Sequence, residues 1–384
     1  MQGRNFRGGV GYNMTSTLMR RVVLPSSAKV KVRRPRNQNG RCPSVSVVIP
    51  CYNYGHYLPG CVKSVLDQQD VHVEVLIIDD ASPDGSGEIA SRLAAEDTRI
   101  NTICHTVNRG HIATYNEGLA QASGDYTVLL SADDLLTPGC LARATSLMEE
   151  FPSVGLTYGF SIDFTDACIP PVRTIARCWI IWQGHSWIAH RCKTGRNVVQ
   201  SPEAVLRTTV LHEIGGFRAD LPHSADFEMW MRAATVSDVG YVAGADQAYY
   251  RTHANNMHHS FDQIADLSER LRSFDAIFRA RSGLLTDPNS MRDAAHRALA
   301  REALNHAIST YAREASDREL VEGYAALAFR AWPNAGHLSE WRTLCRLREK
   351  RDSWPGRNRS LIARESIRNL KYPLRWRRRR WVGV

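Results

Sequence analysis

The sequence lacks several features that would restrict its class. Its nine cysteines are odd in number and form no CxxC pair, which argues against a secreted disulfide framework and favours reduced thiols. No apolar run reaches the roughly 18 to 20 residues that span a bilayer, and the N-terminus lacks the apolar stretch of a signal peptide. We therefore expect a cytoplasmic protein that could attach to the inner face of a membrane only peripherally.

Acidic residues are absent from the first 44 positions, which hold ten Arg and Lys, and only two occur among residues 351–384, which hold eleven. The net charge of +10 therefore divides into +10 and +9 at the ends and −9 between them. This charge describes the tails rather than the fold. The C-terminal tail interleaves Trp376 and Trp381 with Arg, so it could lie on an anionic membrane surface, attract nucleic acid or remain solvated.

The pattern along the chain predicts four regions. Residues 1–43 form a basic tail of disordered composition, 44–260 an α/β domain, 261–350 a helical region and 351–384 a basic, Trp- and Arg-rich tail. In the α/β domain, strands alternate with helices, which favours right-handed crossovers and a mainly parallel sheet flanked by helices. The predicted strands are 45–50, 73–79, 100–104 and 125–131, and the predicted helices are about 57–69, 85–95 and 110–122. The apolar face of the helical region could support a homo-oligomer.

Polar side chains follow the predicted strands at the carboxyl edge of the sheet, where open parallel sheets bind ligands. Tyr52 and Asn53 follow the first strand and could stack on and hydrogen-bond a nucleobase, although an ordinary capped turn would need the same residues. Asp79 and Asp80 follow the second strand. We expect one of these carboxylates to face a ligand and the other to serve the structure, for instance as a helix cap.

A third strand runs directly into Asp133 and Asp134. Mg²⁺ and Mn²⁺ take few protein carboxylates and fill their remaining positions with water and phosphate oxygens, so one or two acids at a crevice suit a divalent cation. We expect Asp133 to be the ligand and Asp134 to cap the segment that follows.

The run from Val45 to about Ala142, which includes NRGHIATYNEGLAQASGDYTVLLSADDLLTPG, resembles the nucleotide-binding half of the family 2 glycosyltransferases. The resemblance continues through SPEAVLRTTVLHEIGGF and ADFEMWMRAA to YYRTHANNM. It implies the GT-A fold, a Rossmann-like sheet. It also implies that Pro50 and Tyr52 lie against the uracil of a nucleotide-diphosphate sugar, whose polar edge is read by Asp79 or, by preference, Asp80. The candidate donor-binding residues are Pro50, Tyr52, Asn53, Asp79, Asp80, Arg109, Ala132 and Arg251.

The resemblance also implies a metal site. Asp133 matches the metal ligand of the family's Asp-x-Asp motif, although Ser131 replaces the commonest Asp at its first position. Arg251 and His253 match a segment near the diphosphate, in which an Arg offsets phosphate charge and a His ligates the metal; a neutral imidazole suits Mn²⁺ better than Mg²⁺. The neighbouring His258 and His259 lack Cys or acid partners at ligand spacing, which favours a surface loop over a zinc cluster.

Asp226 matches the general base of inverting members of the family. A carboxylate near the acceptor nucleophile can remove its proton on the face opposite the leaving diphosphate. The alternative is that Asp226 only caps a helix that begins near Phe227. Residues 172–200, which are rich in Trp, His and Arg, are interpreted as an irregular loop. Within it, Trp179, Trp182 and Trp187 could stack on acceptor sugars or pack beneath a lid.

These expectations combine into a metal-dependent inverting glycosyltransferase that uses a nucleotide-diphosphate sugar, with a UDP-sugar preferred. The acceptor stays open among a glycan, a lipid-linked sugar, a peptide and a small molecule. Two alternatives come from other classes: a catalytically impaired sugar-nucleotide binding protein, suggested by Ser131, and a nucleic-acid-associated protein that uses the basic tails.

Overall fold

The structure is a computed structural model that describes residues 30–35, 42–254, 256, 262–313, 317–351 and 383. The interpretations of His258, His259 and nearly all of both basic tails lie outside the described residues.

Within the described residues, nine strands form one sheet in the order β1-β9-β11-β7-β10-β5-β2-β3-β4, and three form a small sheet in the order β6-β12-β8. The strands are β1 (Val30–Arg33), β2 (Ser44–Cys51), β3 (His72–Asp79), β4 (Ile100–Cys104), β5 (Tyr126–Leu129), β6 (Leu135–Leu136), β7 (Val154–Tyr158), β8 (Ser161–Phe164), β9 (Cys178–Trp182), β10 (Val205–Arg207), β11 (Asp238–Ala243) and β12 (Ala248–Arg251). The α-helices are α1 (Leu58–Leu66), α2 (Ser86–Glu96), α3 (His111–Gln121), α4 (Cys140–Glu150), α5 (Gly184–Thr194), α6 (Thr208–Ile214), α7 (Ala225–Val236), α8 (Gln263–Ala280), α9 (Pro288–Arg313), α10 (Arg318–Ala331) and α11 (Ser339–Arg351).

Strands β5, β2, β3 and β4 form the parallel part of the large sheet. The apolar residues of the central strands β2 and β5 are buried on both faces, as parallel strands covered by helices require, whereas those of the edge strand β4 are partly exposed. Val47 and Ile49 face one core, to which α1 and α4 also contribute, whereas Val48 and Ile78 face the other. Each predicted strand and helix of this part is present with bounds shifted by at most a few residues, so the α/β fold class is confirmed.

The other part of the large sheet is mixed. β10 pairs antiparallel with both β5 and β7, β11 pairs parallel with β7, and β9 pairs antiparallel with β11. The interpretation of residues 172–200 as an irregular loop is therefore wrong, because β9 and α5 occupy much of it. Trp179, Trp182 and Trp187 are almost completely buried. They pack in the core and do not form an acceptor surface.

β1 lies inside the tail that the composition indicated to be disordered. It pairs antiparallel with β9 over four residues, from Val30 opposite Trp182 to Arg33 opposite Trp179. The prediction of disorder is wrong for this stretch, because its alternating Val side chains pack against the core while Lys31 and Arg33 are exposed.

The helical region follows residue 262 as predicted. Its helices pack against one another and also against the α/β domain, since α9 contacts α5 and α8 contacts α7. None of the helices in the described part of the chain combines the length and apolar character needed to cross a membrane.

Candidate active site

The turn after β2 presents an aromatic ring at the carboxyl edge of the sheet. Pro50 is buried within β2, whereas Tyr52 is 47% exposed. Asn53 adopts a left-handed backbone conformation with φ of 62°, which Asn tolerates better than most residues. Its N–H donates to Ser82 Oγ at 3.0 Å, which joins this turn to the turn after β3. Tyr52 is therefore free to contact a ligand from a fixed backbone.

Both carboxylate oxygens of Asp80 form hydrogen bonds within the protein. Its Oδ1 lies 2.7 Å from His105 Nδ1 and accepts the N–H of Arg109 at 2.8 Å, and its Oδ2 accepts the N–H of Gly110 at 2.9 Å. Burial alone would raise the pKa of Asp80, but these hydrogen bonds hold it below its ordinary value. Asp80 thus fixes the loop that carries Arg109, whose exposed side chain also bonds Glu117.

Asp79 differs from its neighbour. Its Oδ2 accepts the N–H of Ser82 at 3.2 Å. Its Oδ1 is buried and has no hydrogen-bond partner in the described part of the chain. A buried carboxylate oxygen without a donor costs free energy unless a ligand or water supplies one. Of the two acids, Asp79 therefore keeps an acceptor for a ligand, although the resemblance favoured Asp80 for that role.

Asp133 and His253 meet at the end of β5. Asp133 Oδ2 and His253 Nε2 are 3.0 Å apart, and Ser131 Oγ donates to Asp133 Oδ1 at 2.5 Å. Two neighbouring ligands of an octahedral ion with bonds of about 2.1 Å are about 3.0 Å apart, so this pair fits a divalent cation. No group of three or more such ligands occurs among the residues that the structure describes. Substrate oxygens and water would have to complete the coordination.

Arg251 does not reach freely toward a ligand. Its guanidinium lies over the rings of Tyr57 and Phe164, at 4.2 and 4.4 Å, and forms an ion pair with Asp166. Its Nε donates to the carbonyl of Asp133 at 2.6 Å. In this conformation Arg251 holds the backbone of Asp133. This role differs from the expected one, in which Arg251 would offset the charge of the phosphates directly.

Ala132 and Asp134 are the chain neighbours of Asp133, and both are buried. Ala132 is fully buried in the core. Asp134 Oδ1 accepts the N–H of Arg251 at 2.9 Å, and β6 begins at the next residue. The expectation that Asp134 caps the following segment is wrong, because it bridges two strands instead. Burial and the charge of Asp133 raise the pKa of Asp134.

Asp226 lies in the first turn of α7, where the helix dipole favours a carboxylate. The helix begins at Ala225 after Ser224, so Asp226 is not its N-cap residue. Its Oδ1 accepts the N–H of Phe227 at 2.6 Å and its Oδ2 accepts from Asn197 Nδ2 at 2.8 Å. Burial raises the pKa of Asp226 to about 6, and these two bonds lower it in part.

Tyr115 on α3 is a buried phenol affected by both candidate acidic sites. Burial raises the pKa of Tyr115, and the negative charges of Asp133, Asp134 and Asp226 raise it further. These carboxylates therefore act on the same side chain, although almost 100 residues separate Asp133 from Asp226 in the chain. Sequence reasoning missed Tyr115 and Asn197. Tyr115 stands inside the quoted run TYNEG, but a helical aromatic there indicates packing equally well.

Comparison with known proteins gives one family and one fold. The model of the family described as Glycosyl transferase family 2 matches residues 46–201. The chain is 38% identical over 107 residues to the glycosyltransferase GlyG of Streptococcus pneumoniae, a segment that is 28% of this chain and 35% of GlyG. The chain thus spans about a third of that relative.

Two solved structures share the fold at low identity. S. aureus TarS in complex with UDP-GlcNAc is 16% identical with a TM-score of 0.55, over 76% of this chain and 80% of that one. The mannosyltransferase PcManGT from Pyrobaculum calidifontis in complex with GDP-Man and Mn²⁺ is 17% identical with a TM-score of 0.52, over 88% and 84% of the two chains. These likenesses confirm the fold that the sequence predicted.

Proposed function

From the match of residues 46–201 to the model of Glycosyl transferase family 2, we propose that the chain is a family 2 glycosyltransferase that transfers a sugar from a nucleotide-diphosphate donor to an acceptor with inversion. The observation that carries the proposal is the contact of Asp133 with His253 at 3.0 Å beyond the end of β5, in a chain that also holds the buried carboxylate Asp226. A leaving diphosphate and an attacking nucleophile must stand on opposite sides of the sugar carbon. Two separate carboxylate sites, one for the metal and one for the base, are what that requirement calls for.

The donor's nucleotide is proposed to lie along the carboxyl edge of β2 and β3. Tyr52 offers an exposed ring for base stacking, and Asp79 Oδ1 offers a free acceptor for a base N–H or a ribose hydroxyl. Pro50, Asn53 and the Asp80-bound loop at Arg109 shape the edge around them. The complex of TarS with UDP-GlcNAc supports a UDP-sugar, and that of PcManGT supports a GDP-sugar equally.

The diphosphate is proposed to lie at Asp133 and His253. A divalent ion bound there would act as a Lewis acid toward the leaving diphosphate. Ser131 orients the Asp133 carboxylate, and Arg251 fixes its backbone. The imidazole favours Mn²⁺ over Mg²⁺, and Mn²⁺ is the ion bound with GDP-Man in PcManGT. Ser131 therefore keeps a role at the motif position where the resemblance leads one to expect Asp, which weighs against an impaired binding protein.

Asp226 is proposed to remove the acceptor proton. Because its pKa is about 6, it is mainly ionised at neutral pH and still basic enough to take a proton from a hydroxyl as that oxygen attacks. A positioned general base typically contributes about 10² to 10⁴ in rate. Direct displacement at the sugar carbon then inverts its configuration. The acceptor class stays open, because Trp179, Trp182 and Trp187, which could have formed its site, are buried.

A thermal-shift panel of UDP-, GDP- and dTDP-sugars, each with Mn²⁺ and with EDTA, tests the proposal. A ligand that binds only the folded state raises its stability, by about 2.7 kcal/mol at a concentration of 100 Kd. We expect one nucleotide class to raise Tm with Mn²⁺ and to lose most of that effect in EDTA. A panel in which no sugar nucleotide changes Tm under either condition would contradict the assignment.

A further inference from the structure

We propose that Asn197 is a positioning residue for Asp226, which orients its carboxylate and stabilises its ionised form. The inference rests on the proposed function, because Asn197 acts through the proposed base. Asn197 itself was not among the candidate site residues, although it lies in the segment 172–200. Four features of the structure support it: the orientation of the Asn197 amide, the anchoring of its loop, the anchoring of α7 and the charges nearby.

The amide of Asn197 can adopt only one useful orientation. Its Nδ2 donates to Asp226 Oδ2 at 2.8 Å, while its Oδ1 accepts the N–H of Val199 at 3.0 Å. Rotating the amide by half a turn would place a donor against an N–H and an acceptor against a carboxylate, so both bonds would be lost. With Phe227 N–H on Oδ1, each oxygen of Asp226 has one donor and a lone pair for an acceptor hydroxyl.

The loop that carries Asn197 is fixed by the helical region. Gly195 ends α5 in a left-handed conformation with φ of 69°, and an added Cβ would lie 3.4 Å from Ala298 Cβ on α9. The carbonyl of Gly195 accepts from Arg270 Nη1 on α8 at 2.7 Å. Glu302 on α9 pairs with both Arg270 and Arg196. Two helices therefore set the position of the loop two residues before Asn197.

The same helix α8 also fixes the start of α7. Glu269 Oε2 accepts the N–H groups of His223 and Ser224, each at 2.9 Å. Ser224 Oγ and Ser273 Oγ lie 2.8 Å apart. Glu269 and Arg270 are neighbours in the chain, yet one holds the helix that carries Asp226 and the other holds the loop that carries Asn197. The distance between the two residues is thus set by one rigid element.

The charges around Asp226 show what Asn197 contributes. His223 favours the ionised carboxylate, as do the hydrogen bonds from Asn197 and Phe227, whereas burial opposes it. Tyr115, the nearby phenol on α3, has a raised pKa and is neutral at physiological pH. Loss of the Asn197 donor therefore removes one of the interactions that lower the pKa of Asp226. Asp226 should then keep its proton to higher pH.

Asn197→Asp tests this role most directly. It keeps the size of the side chain and the acceptor for Val199, but it places a second carboxylate 2.8 Å from Asp226. Two such carboxylates titrate in coupled steps, the upper at higher pH than either alone. The titration is followed by carbon-13 NMR of Asp carboxyl carbons in the full chain, and the Asp226 signal is identified by its loss in Asp226→Asn. We expect the upper step at least about one pH unit above that of the wild type.

A kinetic measurement accompanies the titration. Nucleoside diphosphate release is measured against pH, with the sugar nucleotide that gives the largest thermal shift and water as acceptor. We expect Asn197→Asp to lose about tenfold in turnover at pH 6, with recovery at pH 8 and an unchanged KM for the donor. Asn197→Ala, which loses both hydrogen bonds, should shift the titration in the same direction. Asn305→Ala is the matched control, because that amide donates only to the Arg301 carbonyl of its own helix.

The outcomes separate the two proposals. A wild-type Asp226 titration in both Asn197→Asp and Asn197→Ala overturns the positioning role, whatever the activity. If either variant does not fold, the other decides. Wild-type turnover in Asp226→Asn overturns the proposed function instead, and the NMR titration, which needs no turnover, still decides whether Asn197 controls the ionisation of Asp226.

Discussion

The metal pair and the proposed base are both carboxylates held by neighbouring side chains, but different parts of the chain hold them. Ser131, His253 and Arg251 support Asp133, and all of them stand at strand ends or just beyond them. Asn197 supports Asp226 from a loop, and helices α8 and α9 anchor that loop and the start of α7. The proposed donor side is thus positioned by the sheet, whereas the proposed acceptor side depends on the helical region.

Replacing the proposed base should have the largest effect on turnover. Asp226→Asn should lower kcat by about 10² to 10⁴, because the amide cannot take a proton. The thermal shift caused by the donor should remain, since the donor side lies at the sheet edge. The Tm without ligand should change little, because Asn keeps only one of the two hydrogen bonds that Asp226 accepts from Asn197 and Phe227, but it also removes a charge that burial disfavours. Loss of donor binding in this variant would show that the two sides are not separate.

Replacing the metal ligand should instead affect binding. Asp133→Asn should weaken Mn²⁺-dependent donor binding by about 10- to 100-fold, because an amide is a much poorer ligand for a hard cation than a carboxylate. Isothermal titration with and without Mn²⁺ measures the loss. Asp67→Asn is the matched control, since that acid is exposed and, within the described part of the chain, forms an ion pair with Lys63 on the surface. Donor affinity in Mn²⁺ that is equal in Asp133→Asn and the control would remove Asp133 from the metal site.

The pH dependence should show a smaller, graded effect that belongs to the acceptor side alone. Burial raises the pKa of Asp226 from 3.8 to about 6, so the folded state favours the protonated carboxyl. The contribution of Asp226 to the free energy of unfolding is therefore full below pH 3.8 and is lost as the pH rises through about 6. Activity needs the ionised form and should rise over that window, about tenfold per pH unit below pH 6. Measurement of kcat/KM from pH 5 to 8 checks this rise in activity. If the same rise with pH persists in Asp226→Asn, a group other than Asp226 causes it.

The sequence predicted the strands and strand ends around the proposed donor side well because local rules define them. A parallel strand buried on both faces is a continuous run of Val and Ile, and its carboxyl end is marked by the first polar residues. This pattern singled out Tyr52, Asp79 and Asp133 as candidates, and their roles stay predictions. The sequence could not show which of Asp79 and Asp80 is fully hydrogen-bonded by the protein, because that depends on where the backbone N–H groups of Arg109 and Gly110 point.

The acceptor side was predicted less completely because its contacts are between distant elements. The pairing of Asn197 with Asp226 depends on packing of α9 against Gly195, about 100 residues later in the chain. β9 was missed for a related reason. Its five residues alternate between the two cores of a mixed sheet, so they show no change from apolar to polar, and the flanking Arg and His residues suggested a loop.

The pairing of β1 with β9 has a practical consequence for shortening this protein. A chain trimmed to remove the basic N-terminus through residue 35 would leave β9 as the edge of the large sheet, with Trp179 to Trp182 beside an unpaired backbone. Exposed apolar edges recruit other strands and promote aggregation, whereas Lys31 and Arg33 on the natural edge discourage it. Residues 30–33 therefore protect the solubility of the folded chain, and truncations that aim to reduce its positive charge should end before Val30.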